Sequence, residues 1–324
     1  MGNILENPGQ GFAHVNHATS RTFQPDKLTL GLVAPLESHR SSPLPSLERH
    51  LERARLADVL GFRALWLRDV PFNVPSFGDA GQMHDPFVYL GILSGVTNNI
   101  SLGVASIILP LRHPAHVAKA AASVDVLSGG RLLLGVASGD RPEEYPAMKI
   151  DFASRGQRFR DSVEYIRAVV SPFPDADLAD GRLSGQADML PKPVGGKLAL
   201  FITGSAQQEP DWIAKNGDGW ITYPRDAASQ GRLVADYRRR VANFGSQNKP
   251  VLQSLYIDLQ NDPDSAPRPI HLGFASGTKF LKEYLGELRE FGINHVALNL
   301  RFNKGDVEDT MKRLADALLP EFSL

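Results

Sequence analysis

Cysteine is absent from all 324 residues. That removes disulfides, thiolate metal sites and cysteine nucleophiles from consideration, and a cytoplasmic enzyme fits it easily. An excess of either charge is missing too, since 35 Lys and Arg against 36 Asp and Glu leave a formal net charge of -1. The basic footprint expected of a nucleic-acid or anionic-membrane partner is therefore not there. No apolar run approaches the roughly 20 residues that span a bilayer. The N-terminus, MGNILENPGQGFAHVNHATSR, lacks a basic start followed by an apolar stretch, so no signal peptide is expected. There is also no G-x-G-x-x-G fingerprint and no Walker motif. What remains is a soluble protein with 42% hydrophobic residues, enough for one large α/β domain or two ordinary ones.

The most informative stretch that is present runs from Ser101 to Asp140, SLGVASIILPLRHPAHVAKAAASVDVLSGGRLLLGVASGD. Ser101–Ile108 is a short, β-branched strand. His113-Pro114 opens a helix, proline being preformed for the first helical turn. Val117, Ala121 and Val124 recur at helical spacing, and Gly129-Gly130 ends the run. A second strand, Arg131–Ala137, leads directly into Ser138-Gly139-Asp140. Two strands joined by so short a helical crossover must be parallel, so both end on the same side. Ala105-Ser106 and Ser138-Gly139-Asp140 meet there, where a flat, phosphate-bearing ligand could rest.

The same alternation continues along the chain. Residues 1–26 read as an irregular, polar arm and 27–324 as one domain. Strands are expected at Leu28–Ala34, Arg63–Asp69, Leu198–Thr203, Gly219–Tyr223, Val251–Leu259 and His295–Leu300. Helices are expected at Ser46–Leu60, from Asp85-Pro86, at Ala153–Val170, around Pro210–Asn216, through Leu233, Tyr237, Val241 and Phe244, through Phe280, Leu281, Tyr284, Leu285 and Leu288, and from Asp306. Eight strand–helix repeats close into an α/β (β/α)8 TIM barrel. A doubly wound open sheet would want a glycine-rich phosphate loop after the first strand, which instead runs into Ala34-Pro35-Leu36.

In such barrels the βα loops at the carboxyl ends of the strands build the site. Those after strands 2 (70–85), 4 (138–152) and 7 (260–276) are long enough for a lid. The 171–196 connection belongs to the opposite face, where a stabilising role is expected. Thr203-Gly204-Ser205-Ala206, leading into a helix, reads either as a phosphate turn or as an ordinary capped turn. Arg68 and Asp69 at the end of strand 2 read either as functional groups or as a buried ion pair supporting the rim. His84 reads as a loop histidine. His113-x-x-His116 has ligand-like spacing without an acidic partner nearby in sequence, so no metal site is expected. Arg225 and Arg301 read as solvated arginines, and Arg131, at the start of its strand, as structural.

The run LPLRHP, a helix, LSGGR and LGV-x-SGD, continued by DF-x-x-RG-x-R-F (Asp151–Phe159) and ITGSA…NGDGWITY (Ile202–Tyr223), resembles the luciferase-like flavin monooxygenase superfamily across most of residues 28–320. The resemblance implies FMN, or in some relatives the deazaflavin F420. It implies a flavin ring over Ala105-Ser106, joined by a non-prolyl cis peptide, with phosphate contacts on Ser138–Asp140 and Gly204–Ala206. Asp69 resembles a flavin-contacting acidic position, and Arg68 and Asp69 are the catalytic candidates. The histidine that bacterial luciferase carries after strand 2 is Val70 here, its phosphate arginine is Ser138 and its reactive cysteine is Ala137, so light emission is not implied.

The function implied is a flavin-dependent oxidoreductase, a monooxygenase oxidising a small organic substrate with reduced FMN and O2. A flavin reductase as partner and a homodimer through the second and third helices are also implied. The alternatives are F420-dependent hydride transfer, a non-catalytic flavin-binding protein, or a metal-dependent barrel hydrolase.

Overall fold

A computed structural model of the chain describes residues 11–39, 44–77, 83–179 and 181–323. In chain order these form α1 (His17–Thr22), β1 (Thr29–Val33), α2 (His50–Leu60), β2 (Ala64–Leu67), α3 (Pro86–Val96), β3 (Ser101–Ile108), α4 (Pro114–Leu127), β4 (Leu132–Ala137), α5 (Glu144–Ala147) and α6 (Arg155–Val169). There follow β5 (Asp175–Leu178), β6 (Gly181–Ser184), β7 (Leu200–Thr203), α7 (Pro210–Asn216), β8 (Gly219–Thr222) and α8 (Ala227–Asn243). The chain ends with β9 (Val251–Leu259), β10 (Arg268–Ile270), β11 (Gly273–Ser276), α9 (Thr278–Glu290), β12 (His295–Asn299) and α10 (Val307–Leu318).

Eight parallel strands close a barrel in the order β1-β2-β3-β4-β7-β8-β9-β12, with β12 returning to β1. This is the TIM barrel expected from the repeats. Strands buried on both faces need continuous apolar runs, and β1, β2 and β12 are buried at every position. The signals that start helices are realised as read. The Asp85 carboxylate accepts from the Phe87 and Val88 N–H groups ahead of Pro86, and His113 caps α4 through Ala115 N–H.

Several elements depart from expectation. The arm holds α1, capped by Asn16, and Phe12, Val15, Ala18 and Phe23 close the bottom of the barrel against Trp66, Leu133 and Phe201. The helix expected from Ser46 starts at His50, because Leu47 and Arg49 adopt left-handed backbone angles while Glu37 accepts from the Ser46 and Leu47 N–H groups. On α8 the inward face is Gln230, Val234, Tyr237 and Val241; Leu233 is half-buried and Phe244 is exposed beyond the helix end.

Two hairpins were not legible as strands. β5 and β6 pair with each other on the 171–196 connection, rising along the flank of α6 as far as the start of α4. β10 and β11 lie on the loop after β9, and β11 adds in parallel to β9 itself. Arg131 is structural, as expected: its guanidinium donates to the carbonyls of Ser94, Thr97, Ile100 and Ser128 and to Thr97 Oγ1. Among the described residues, no helix is long and apolar enough to cross a membrane.

Candidate functional site

A cavity of about 530 Å³ opens at the carboxyl ends of the strands, within the size range of small-molecule and cofactor sites. Arg68, Asp69, Ala105, Ser106, Ser138, Asp140, Gly204, Ser205 and Ala206 all line it. The juxtaposition argued from parallel strands therefore holds, and Ser106, Asp140 and Ser205 open onto one mouth. Described residues of all three long loops also contribute: Phe77 after β2, Ser138 to Arg141 after β4, and His271 and Leu272 after β9. Part of the first loop, residues 78–82, lies outside the described residues.

On β3, the Ala105-Ser106 peptide is cis, and the ladder to β4 shifts register between Val104 and Ile107. Ser106 Oγ is hydrogen-bonded to Thr203 Oγ1, which ties β3 to β7 across the mouth. Gly135 of β4 lies between them, where an added Cβ would come within 2.3 Å of Val104 O and 3.2 Å of Ser106 Oγ. Past β4, Gly139 takes a φ of 76°, and a Cβ there would meet Ile108 at 2.7 Å. The Tyr145 hydroxyl donates to Ser138 O, and burial pushes that phenol up to about 12. Ser138 is 5% exposed, and its hydroxyl has no hydrogen-bond partner among the described residues.

The turn after β7 has left-handed backbone at Gly204, Ala206 and Gln207. It is braced from outside by Gln208, which donates to Gly156 O and Ala206 O and accepts from Arg160. Successive backbone N–H groups in such a turn form a concavity suited to an anion.

Asp69 is in a buried ion pair, but with Arg112 from the start of α4. The guanidinium donates to both carboxylate oxygens, at 2.7 and 3.0 Å, and Ile108 N–H donates at 3.1 Å. Arg112 also pairs with Asp85 at 2.9 Å. The Asp69 carboxylate thus fixes the end of β3 while still lining the cavity. Arg68 lines the cavity and is half-buried.

The other flagged residues lie elsewhere. Arg225, His84, His113 and His116 do not line the cavity, and neither does Arg301. Arg301 is buried rather than solvated, with its guanidinium 5.4 Å from the Phe302 ring centre. No group of three or more His, Asp or Glu among the described residues is placed to hold a metal ion.

Sequence reasoning missed Tyr256, His271 and the Arg141–Glu144 pair. Arg141 and Glu144 are both buried, 3.4 Å apart, with burial raising the Glu144 carboxyl and Arg141 opposing the shift. The Arg141 guanidinium also lies 4.7 Å from the Phe77 ring centre, joining the loops after β2 and β4. Loop length was the only signal for His271 and the Arg141–Glu144 pair, and Tyr256 lies near the end of β9 with no local signal.

The fold and site together define a (β/α)8 barrel with a cofactor-sized cavity at the carboxyl ends of its strands. A sequence profile of the luciferase-like monooxygenase family matches residues 28–324, and the chain belongs to that family. It is similar to an uncharacterized protein of Mycobacterium tuberculosis, 34% identical over 241 residues that cover 68% of this chain and 82% of the relative. Two solved structures share the fold. An F420-dependent secondary alcohol dehydrogenase bound to an F420-acetone adduct has a TM-score of 0.73 at 17% identity, covering 92% of this chain and 100% of that one. The oxygenating constituent of 3,6-diketocamphane monooxygenase from Pseudomonas putida, a type II Baeyer-Villiger enzyme in complex with FMN, has a TM-score of 0.73 at 14% identity, covering 92% and 99%.

Proposed function

We propose that the chain is an FMN-dependent oxidoreductase, a monooxygenase that uses reduced flavin and O2 on a small organic substrate. The observation that carries this reading is the convergence of the Ala105-Ser106 segment, Ser138–Asp140 and Gly204–Ala206 on one cavity. The residues present fit such a group. Small side chains at Ala105 and Ser106 let backbone approach a ring face. The unpartnered Ser138 hydroxyl and the left-handed turn at 204–207 suit a phosphate, and exposed Asp140 suits ribityl hydroxyls.

When bound, the flavin supplies the redox chemistry. The chain's own residues orient and shield it. Thr203 and Ser106 hold the two strand ends together, the Arg141–Phe77 contact draws two loops over the mouth, and Arg112 acts through Asp69 to set the end of β3. Asp69 is in this reading a positioning residue, and Arg68 is a charged side chain on the cavity wall available to the reactants. The same cradle would accept F420, which has a flavin-like ring, so F420-dependent hydride transfer is the second reading. A separate flavin reductase and a homodimer through α3 and α4 complete the proposal; exposed Val88 and Ile92 on α3 support the latter.

The test is a fluorescence titration of the purified protein with FMN, reduced FMN and F420. Micromolar binding of one of them is expected. Failure of all three at that level removes the oxidoreductase reading, and binding without substrate-dependent O2 consumption or hydride transfer leaves a flavin-binding protein.

A further inference from the structure

The wall of the cavity facing the Ala105-Ser106 segment is built unlike the rest. β9 lies four strands from β3 in either direction around the ring, so its end is diametrically across the mouth. There Tyr256 is 6% exposed, lines the cavity, and has a hydroxyl with no hydrogen-bond partner among the described residues. His271, at the tip of the β10–β11 hairpin, also lines the cavity, and its imidazole is equally without a hydrogen bond among those residues. The two rings lie 5.7 Å apart between centres, and Phe302 backs both at 5.2 and 6.3 Å.

This wall is fixed in place. Tyr256 N–H donates to Leu272 O at 3.1 Å, and a Cβ on Gly273 would fall 1.8 Å from Tyr256 O. The hairpin tip therefore sits directly on β9 and holds His271 at the mouth. Leu252, Ile221, Ala297 and Leu272 supply apolar lining nearby. Tyr256 is buried and His271 is exposed at the rim, so two polar side chains lie side by side on a ligand-sized cavity with no hydrogen bond among the described residues, and both can turn to one ligand atom.

We infer that Tyr256 and His271 form the substrate-recognition pair, and that the substrate is an apolar, ring-sized molecule carrying one carbonyl or hydroxyl oxygen. A hydroxyl and a neutral imidazole can each donate or accept, so the pair fits both oxidation levels of that oxygen. The aromatic backing fits the ring. The assignment rests on the oxidoreductase reading for its chemistry, but recognition can be measured without turnover.

The experiment uses three probes of nearly equal size, acetophenone, 1-phenylethanol and ethylbenzene. Their affinities are measured by ligand-observed NMR on the full chain with and without saturating FMN. Wild-type protein should favour the two oxygenated probes by up to about tenfold, the upper end of the net value of one hydrogen bond. His271→Phe and Tyr256→Phe should each reduce that preference several-fold while retaining ethylbenzene, and His271→Gln should restore part of it. Retained ethylbenzene binding also shows that the variants are folded. A preference unchanged in both Phe variants, or no probe binding to wild-type protein up to its solubility limit, overturns the inference. Loss of FMN binding with probe preferences intact would remove the flavin reading and leave the recognition pair standing.

Discussion

Asp69 and Arg112 are 43 positions apart in sequence and joined by a two-pronged ion pair, with the Asp69 side chain 1% exposed. The pair spans the ends of β2 and β3 and the start of α4, so it acts on the geometry of the segment that follows the cis peptide.

Asp69→Asn should therefore behave mainly as a structural change. The variant leaves Arg112 with Asp85 as its one described carboxylate partner and is expected to lose about 2 kcal/mol, the range for a hydrogen bond to a charged group. Urea denaturation measures this. Full stability combined with lost turnover would instead give the Asp69 carboxylate a place among the reacting groups.

Ser138 gives the opposite signature. The residue is 5% exposed and its hydroxyl makes no hydrogen bond among the described residues, so Ser138→Val removes none of those described. Stability should hold or rise slightly, while affinity for FMN falls by about tenfold through one missing contact. Thermal melting and flavin titration on the same sample separate the two effects. Equal affinity in the variant would place the phosphate elsewhere.

His295 should make the fold acid-sensitive. Trp66 Nε1–H donates to its Nε2 at 2.9 Å, so Nδ1 carries the proton and donates to Thr29 Oγ1, which donates to Thr22 O. Complete burial lowers its pKa from 6.5 to about 3. The unfolded chain binds the extra proton, so stability from this group is intact above pH 6.5 and falls as pH drops toward 3. The slope is up to about 1.4 kcal/mol per pH unit. His295→Gln should flatten the stability–pH curve by one proton over that window, read from melting temperatures between pH 7 and 4. An unchanged slope would assign the acid sensitivity to other groups.

Arg131 bears on the opposite end of the barrel. Five hydrogen bonds from its guanidinium clamp the start of β4 to the end of α3 and to the entry of β3. Arg131→Met strands several buried carbonyls and should cost about 3 kcal/mol or more. Flavin affinity of the folded fraction should be unchanged, since the cavity is at the other end. A selective loss of flavin binding without loss of stability would contradict that division of labour.

What could be read in the chain alone was whatever depends on local chemistry repeated at regular intervals. Pro86 and Pro114 behind their caps, the largely apolar, β-branched run of Ser101–Ile108, and the eightfold alternation determine the barrel, because each is a short-range preference. Parallel strands then oblige Ser106, Ser138 and Gly204 to share one end. Tertiary structure decided the partners. Nothing local says that Asp69 meets Arg112, that Arg301 is buried, or that residues 12–23 plug the barrel floor. It also decided the far wall of the cavity. His271 lies in a loop of no regular pattern, and only the docking of Gly273 and Leu272 against Tyr256 brings its imidazole to the mouth. Contacts between segments distant in sequence depend on the closed shape, and no periodicity encodes them.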